Sequence, residues 1–203
     1  EWADRALLAW LQELIAHATA SFRSYDYASA LAATERFFWH TFCDNYLEWV
    51  KGRLYDGSPA KRSAAQATLA RTFATILKLL APILPHVTEE IYMQLFAGDA
   101  RSIHTSAWPQ ADPALRNPAA EQLGEALLAI TLAVRRFKST EQIGLGAPLS
   151  RLTITATSGL CAQLEQCSTD IRSVSRAQTL AFTNEPGVNS IEAAPGLWIA
   201  IER

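Results

Sequence analysis

Phe37-Phe38-Trp39-His40-Thr41-Phe42-Cys43-Asp44-Asn45-Tyr46-Leu47-Glu48-Trp49-Val50-Lys51 is the stretch on which the fold turns. It is rich in aromatic residues, holds neither glycine nor proline, and continues a pattern that starts at Tyr27. At the helical period one stripe contains Ala30, Leu31, Thr34, Phe38, Phe42, Asn45 and Trp49, and a neighbouring stripe contains Trp39, Cys43, Tyr46 and Val50. The pattern predicts a helix over about Tyr27–Leu54, capped by Asp26, with an aromatic face wide enough to meet more than one partner helix. Asp56-Gly57-Ser58-Pro59 breaks it.

Helices are predicted on both sides. Leu7, Leu8, Leu11, Leu14, Ile15, Ala18 and Phe22 recur at three- and four-residue steps, giving a helix over about Asp4–Phe22 with Asp4 as N-cap. Pro59 suits a first helical turn, and Leu69, Phe73, Ile76, Leu77 and Leu80 form the buried face of a helix over about Pro59–Leu80. Pro82 and Pro85 interrupt the chain. A fourth helix follows over about His86–Phe96, with Glu89 and Glu90 in its first turn and Gly98 at its end. Long amphipathic helices joined by short breaks read as an up-down bundle.

The character changes after the proline-containing connector Ser102–Pro118. A helix is expected over about Glu121–Lys138, a turn at Gly144-Leu145-Gly146, and a half-buried strand over Leu149–Thr157 with Leu152, Ile154 and Ala156 on one side. A short helix near Gly159–Gln166 and strands near Thr179–Thr183 and Leu197–Ile201 complete the reading. The expected fold class is mainly α: a helical bundle over 1–117, then a small α+β subdomain over 118–203 made of a helix and antiparallel strands.

The chain has 203 residues, 49% hydrophobic and 19% charged, so it can bury a core. No apolar run is long enough to span a bilayer. The opening Glu1-Trp2-Ala3-Asp4-Arg5 lacks the pattern of a signal peptide and reads as a chain cut from something longer. Cys43, Cys161 and Cys167 are unevenly spaced, without a Cys-x-x-Cys, and read as free thiols of a reducing, cytoplasmic compartment. His17, His40, His86 and His104 have no zinc-like spacing, so no metal is expected. Glu89 and Glu90 are adjacent on a helix and do not face each other as a general acid/base pair would. Net charge is −2, so an RNA-binding role must rest on a local patch together with shape and stacking.

The stretch 37–51 resembles the second bundle helix of valyl-tRNA synthetases, in which an aromatic pair, Phe-Cys-Asp, Tyr, Glu and Lys recur in this order. Leu79-Leu80-Ala81-Pro82-Ile83-Leu84-Pro85-His86-Val87-Thr88-Glu89-Glu90-Ile91-Tyr92 looks like the proline-broken junction of class I synthetases for aliphatic amino acids. Ser102-Ile103-His104 and Trp108-Pro109 match the stretch that follows, and Asp4-Arg5 with Leu8 and Leu11 matches the entry into the first helix. Arg135-Arg136-Phe137-Lys138-Ser139 and Leu145-Gly146-Ala147-Pro148-Leu149 are similar to the C-terminal region of the archaeal-like branch of the family. Phe42-Cys43-Asp44 favours valine over isoleucine. The chain departs from the pattern at Asn45, where an aromatic is common, and at Gly52, where proline is common.

The resemblance implies the anticodon-binding bundle of a class I synthetase, with tRNA(Val) and the enzyme's own catalytic domain as partners, and neither membrane nor DNA. It implies that the parent uses ATP and magnesium at a His-x-Gly-His motif and a Lys-Met-Ser-Lys-Ser loop, neither of which is in this sequence. Lys138-Ser139-Thr140 is only superficially like the latter, so the fragment itself is expected to need no cofactor and to make no adenylate. Arg5, Gln12, Asn45, Trp49, Lys51 and Arg53 stand on the surfaces that face the anticodon in related enzymes. Arg135, Arg136 and Lys138 form a basic run able to touch phosphates. Each residue has a plainer structural role available: Trp49 extends the apolar stripe, Arg5 can pair with an acid, and Lys51 and Arg53 suit a helix C-terminus. A module that mainly docks on the catalytic domain, or the equivalent module of an isoleucyl enzyme, are the alternatives.

Overall fold

The computed structural model describes residues 1–55, 57–96 and 102–203. Gly98 as a helix end, and Asp56 in the break before Pro59, lie outside the described residues.

Helix α1 spans Trp2–Arg23. Asp4 is not its cap, because the helix already starts at Trp2 and Asp4 lies buried in the first turn. Asp26 does cap α2, Tyr27–Arg36, its carboxylate accepting from the Ser29 N–H at 3.0 Å. The chain then runs through a π-helical stretch, Phe37–Tyr46, into α3, Leu47–Tyr55. The π segment was not foreseen. Its wider turn sets Phe37 and Phe42, five residues apart, on the core side and turns Trp39 out to 57% exposure. Trp39 is therefore not part of the buried face expected of it. Phe42 continues a stack with Phe38, Tyr46 and Phe73 of α4.

Helix α4 spans Pro59–Leu80, with proline at its start and Ser58 as cap. Helix α5 spans Pro85–Leu95. It begins one residue before the expected start, so Glu89 and Glu90 fall beyond its first turn. Glu89 instead accepts from Ser102 Oγ at 3.0 Å and the Ile103 N–H at 2.8 Å, holding the start of the connector. Helix α6, Pro118–Thr140, is capped by Asn117. It lies along α1 at a close approach: a Cβ on Gly124 would stand 2.6 Å from the Trp10 ring and 2.7 Å from Ala6 Cβ.

The remainder is β1 (Leu149–Thr155), α7 (Ser158–Glu165), α8 (Ser168–Ser175), β2 (Ala177–Thr183), β3 (Ile191–Ala194) and β4 (Leu197–Glu202). The sheet order is β2-β1-β4-β3. β1 pairs antiparallel with β4, and β3 with β4, as expected of this part, but β1 and β2 are parallel. Two helices separate β1 from β2, and a crossover of that length returns the chain in the same direction.

A helical bundle followed by a small α+β part is thus what the chain forms. One apolar core joins the two: Leu7 and Leu11 of α1, Trp49 of α3 and Leu127 of α6 belong to the same cluster as Leu152, Leu164, Ile171 and Ile199. A second, smaller cluster of Leu77, Ala81 and Ile103 seals the junction around Pro82. Each fully buried aliphatic side chain contributes roughly 1.5–3 kcal/mol of transfer free energy.

Candidate nucleic-acid interface

Five of the residues expected at an RNA surface are occupied inside the protein. Arg53 is 1% exposed. Its guanidinium donates to both carboxylate oxygens of Asp4, at 2.6 and 2.9 Å, and to Asp170 of α8 at 2.8 Å. Asp4 also accepts from the Tyr46 hydroxyl at 2.7 Å. Trp49 is buried, its indole N–H donating to Thr131 Oγ1 on α6 at 2.9 Å. Gln12 is buried and holds the connector, accepting from the Asp112 N–H at 2.9 Å while donating to the Leu8 carbonyl. Lys138 is buried and donates to three carbonyls, Leu145 at 2.8 Å, Ala147 at 2.7 Å and Ser175 at 3.0 Å, so it ties α6 to the turn before β1 and to the end of α8. Asn45 is buried in the π segment, donating to the His40 carbonyl and accepting from Arg135 at 3.1 Å. In sequence these side chains are polar and RNA-compatible. In space each one closes a join between elements.

The buried charges are electrostatically uneven. Burial raises the Asp4 pKa, but the hydrogen bonds and charge of Arg53, with the Tyr46 hydroxyl, outweigh it and hold Asp4 below the ordinary carboxylate range. Asp170 has one guanidinium contact against two for Asp4, and burial pushes its pKa up to about 6. Burial and the neighbouring Arg176 push the Lys138 pKa down.

The other four expected residues reach solvent. Arg5 is exposed and lies over the Trp2 ring at 5.4 Å. Lys51 is half-buried and pairs with Glu48 at 2.6 Å. Arg135 is half-buried, bridging the π segment through the Asn45 side chain and the Asp44 carbonyl. Arg136 is exposed on the opposite side of α6, beside β3.

Lys51 opens onto a groove of about 570 Å³ between the end of α3, the start of α4 and α8. Lys61, Arg172, Arg176, Tyr55 and Ser58 also line it. An adjoining groove of about 430 Å³ shares Ser173 and Arg176 with it and runs past Arg135. Sequence reading missed Lys61, Arg172, Arg176 and Tyr55. Helix α8 was not foreseen, although Cys167, Ile171 and Val174 recur at helical spacing and could have signalled it.

Residues 4–154 match the family described as the anticodon-binding domain of tRNA ligases. The match runs through the bundle and α6 into β1. The chain is 43% identical over 152 residues to the valine–tRNA ligase of Methanothermobacter thermautotrophicus, covering 74% of this chain and 17% of that protein. It is 38% identical over 193 residues to the valine–tRNA ligase of Anaplasma marginale, covering 94% and 23%. It is 37% identical over 183 residues to that of Cutibacterium acnes, covering 89% and 20%. The chain thus spans about a fifth of the length of these relatives. With the match covering the bundle that the coordinates display, the chain belongs to the family of anticodon-binding domains of tRNA ligases.

Proposed function

We propose that this chain is the anticodon-recognising, tRNA-binding part of a valine–tRNA ligase. It positions tRNA(Val) for aminoacylation by a catalytic domain outside this sequence, and the ATP and magnesium of that reaction belong to that domain. The family match over residues 4–154 carries the reading. Similarity to proteins named valine–tRNA ligase supports valine over isoleucine. The tRNA-facing groups are the exposed or half-buried cations Arg5, Lys51, Arg135 and Arg136. Gln12, Asn45, Trp49, Arg53 and Lys138 act on RNA indirectly, by fixing the helices that carry those cations. Among the described residues no helix is long and apolar enough to cross a membrane, in keeping with the cytoplasmic setting proposed here.

The test is binding of the chain to tRNA(Val) and to the same tRNA with its anticodon changed. Anticodon bases are unpaired and are read by stacking and by hydrogen bonds to their edges, so changing them weakens binding by about 1–3 kcal/mol per stacked base lost. Equal affinity for the two tRNAs would refute base-specific reading and leave a docking role.

A further inference from the structure

The groove between α3, α4 and α8 gathers cations that the bundle itself does not need. Arg172 and Arg176 lie beyond residue 154, where the family match ends. Lys51 has Glu48 as partner at 2.6 Å, but Lys61, Arg172 and Arg176 have no ion pair among the described residues. The acids of the adjoining groove are already engaged: Glu48 with Lys51, and Asp44 with His40 at 3.2 Å. Cations sharing one concave surface without carboxylates raise the local potential and attract an anion.

Two further observations point the same way. The 22-residue helix α4 begins at this groove, with Gly57 and Ser58 on its wall, so its free N–H groups and dipole favour negative charge there. Arg176, which ends α8, has φ +60° and ψ +24°, the left-handed region that glycine or asparagine ordinarily fills. A long cationic side chain at that position works against the local backbone. It is exposed and lines both grooves, so the strain falls where a charge is presented to solvent. Beside these cations Tyr55 is 75% exposed.

We propose that this groove holds the sugar–phosphate backbone of an unpaired tRNA segment. Lys61, Arg172 and Arg176 contact phosphates, and Tyr55 stacks on a base. Helix α8 of the C-terminal part then binds tRNA together with the bundle. Phosphates need only positive charge, and an exposed flat ring next to them fits a base, which favours RNA over a simple polyanion. This rests on the reading of the chain as a tRNA binder.

The test uses Arg172→Glu, Arg176→Gly and Tyr55→Ala, with tRNA(Val) transcript affinity measured by fluorescence anisotropy over a salt series, and thermal unfolding measured in parallel. Arg172→Glu and Arg176→Gly each weaken binding several-fold, and each lowers the slope of log affinity against log salt by about 0.7, the value for one single-strand contact. Arg176→Gly does so with an unchanged or raised Tm, because glycine suits the left-handed backbone. Tyr55→Ala weakens binding while leaving the salt slope unchanged. Wild-type affinity in all three variants, or affinity lost only together with Tm, would overturn the groove proposal and leave the tRNA-binding reading standing. Absence of tRNA binding by the unaltered chain would overturn both.

Discussion

Arg53→Met removes the one cation that holds two buried carboxylates. Asp4 and Asp170 are 4% and 3% exposed, and Arg53 supplies hydrogen bonds of 2.6, 2.9 and 2.8 Å to them. Methionine fills much of the space, so the loss is mainly electrostatic. Asp4 keeps only Tyr46 as a side-chain donor, and Asp170 keeps none among the described residues. Leaving charge buried without its partner costs about 3–5 kcal/mol. For a chain of this size that lowers Tm by about 6–20 °C. Without the guanidinium, burial raises the folded pKa of both acids. A raised folded pKa gives stability below the unfolded value that is lost as pH rises, so the deficit against wild type is small near pH 4 and full at pH 7. Urea denaturation followed by circular dichroism at the two pH values measures it. Adding Asp4→Asn and Asp170→Asn to Arg53→Met returns much of the loss at pH 7, since the stranded charges are gone. A deficit under about 1 kcal/mol, the range of exposed ion pairs, and equal at both pH values would refute the bracing role.

Gly124→Val drives a branched side chain into the Trp10 ring and Ala6, where a Cβ alone would stand at 2.6 and 2.7 Å. The overpacking costs about 3 kcal/mol, and unchanged stability in urea would contradict the close α1–α6 approach. Lys138→Met leaves the carbonyls of Leu145, Ala147 and Ser175 without their shared donor. A loss of about 1–3 kcal/mol is expected, with faster amide hydrogen exchange in the turn before β1. Asp170 contributes stability in full below its ordinary value of 3.8 and loses it as pH rises through about 6. Asp170→Asn therefore differs from wild type by an amount that changes across that window, and a flat difference from pH 4 to 7 would exclude the raised pKa.

What the sequence made legible was local chemistry. The bounds of α4 follow from Ser58-Pro59 at one end and the break before Pro82 at the other, and the cap of α2 follows from Asp26. These signals depend on neighbours a few residues away. The π segment was hidden because its signature is a slip of one residue in an otherwise helical apolar pattern, visible only as the five-residue step from Phe37 to Phe42. Helix α8 was hidden because serine, threonine and aspartate dilute its short sequence and favour caps and turns over helix interiors. Arg53 was misread because its partners lie 49 and 117 residues away. A cation near a helix C-terminus has the same sequence context whether it meets water or two buried acids. The same holds for Trp49, whose indole partner is on α6, and for Lys138, whose acceptors come from a turn and from α8. The basic groove could not be read because its charges come from three helices that only the folded chain brings together.

The affinity of this chain for tRNA(Val), followed from about 50 to about 200 mM salt, bears on the tRNA-binding role without intermediaries. Cations such as Lys51, Arg135, Arg172 and Arg176 contacting phosphates make binding fall steeply and linearly in log–log form, by about 0.7–0.9 in slope for each contact. Undetectable binding at the lower salt, or an affinity that does not change across the range, would contradict it and leave a module that only braces its neighbours.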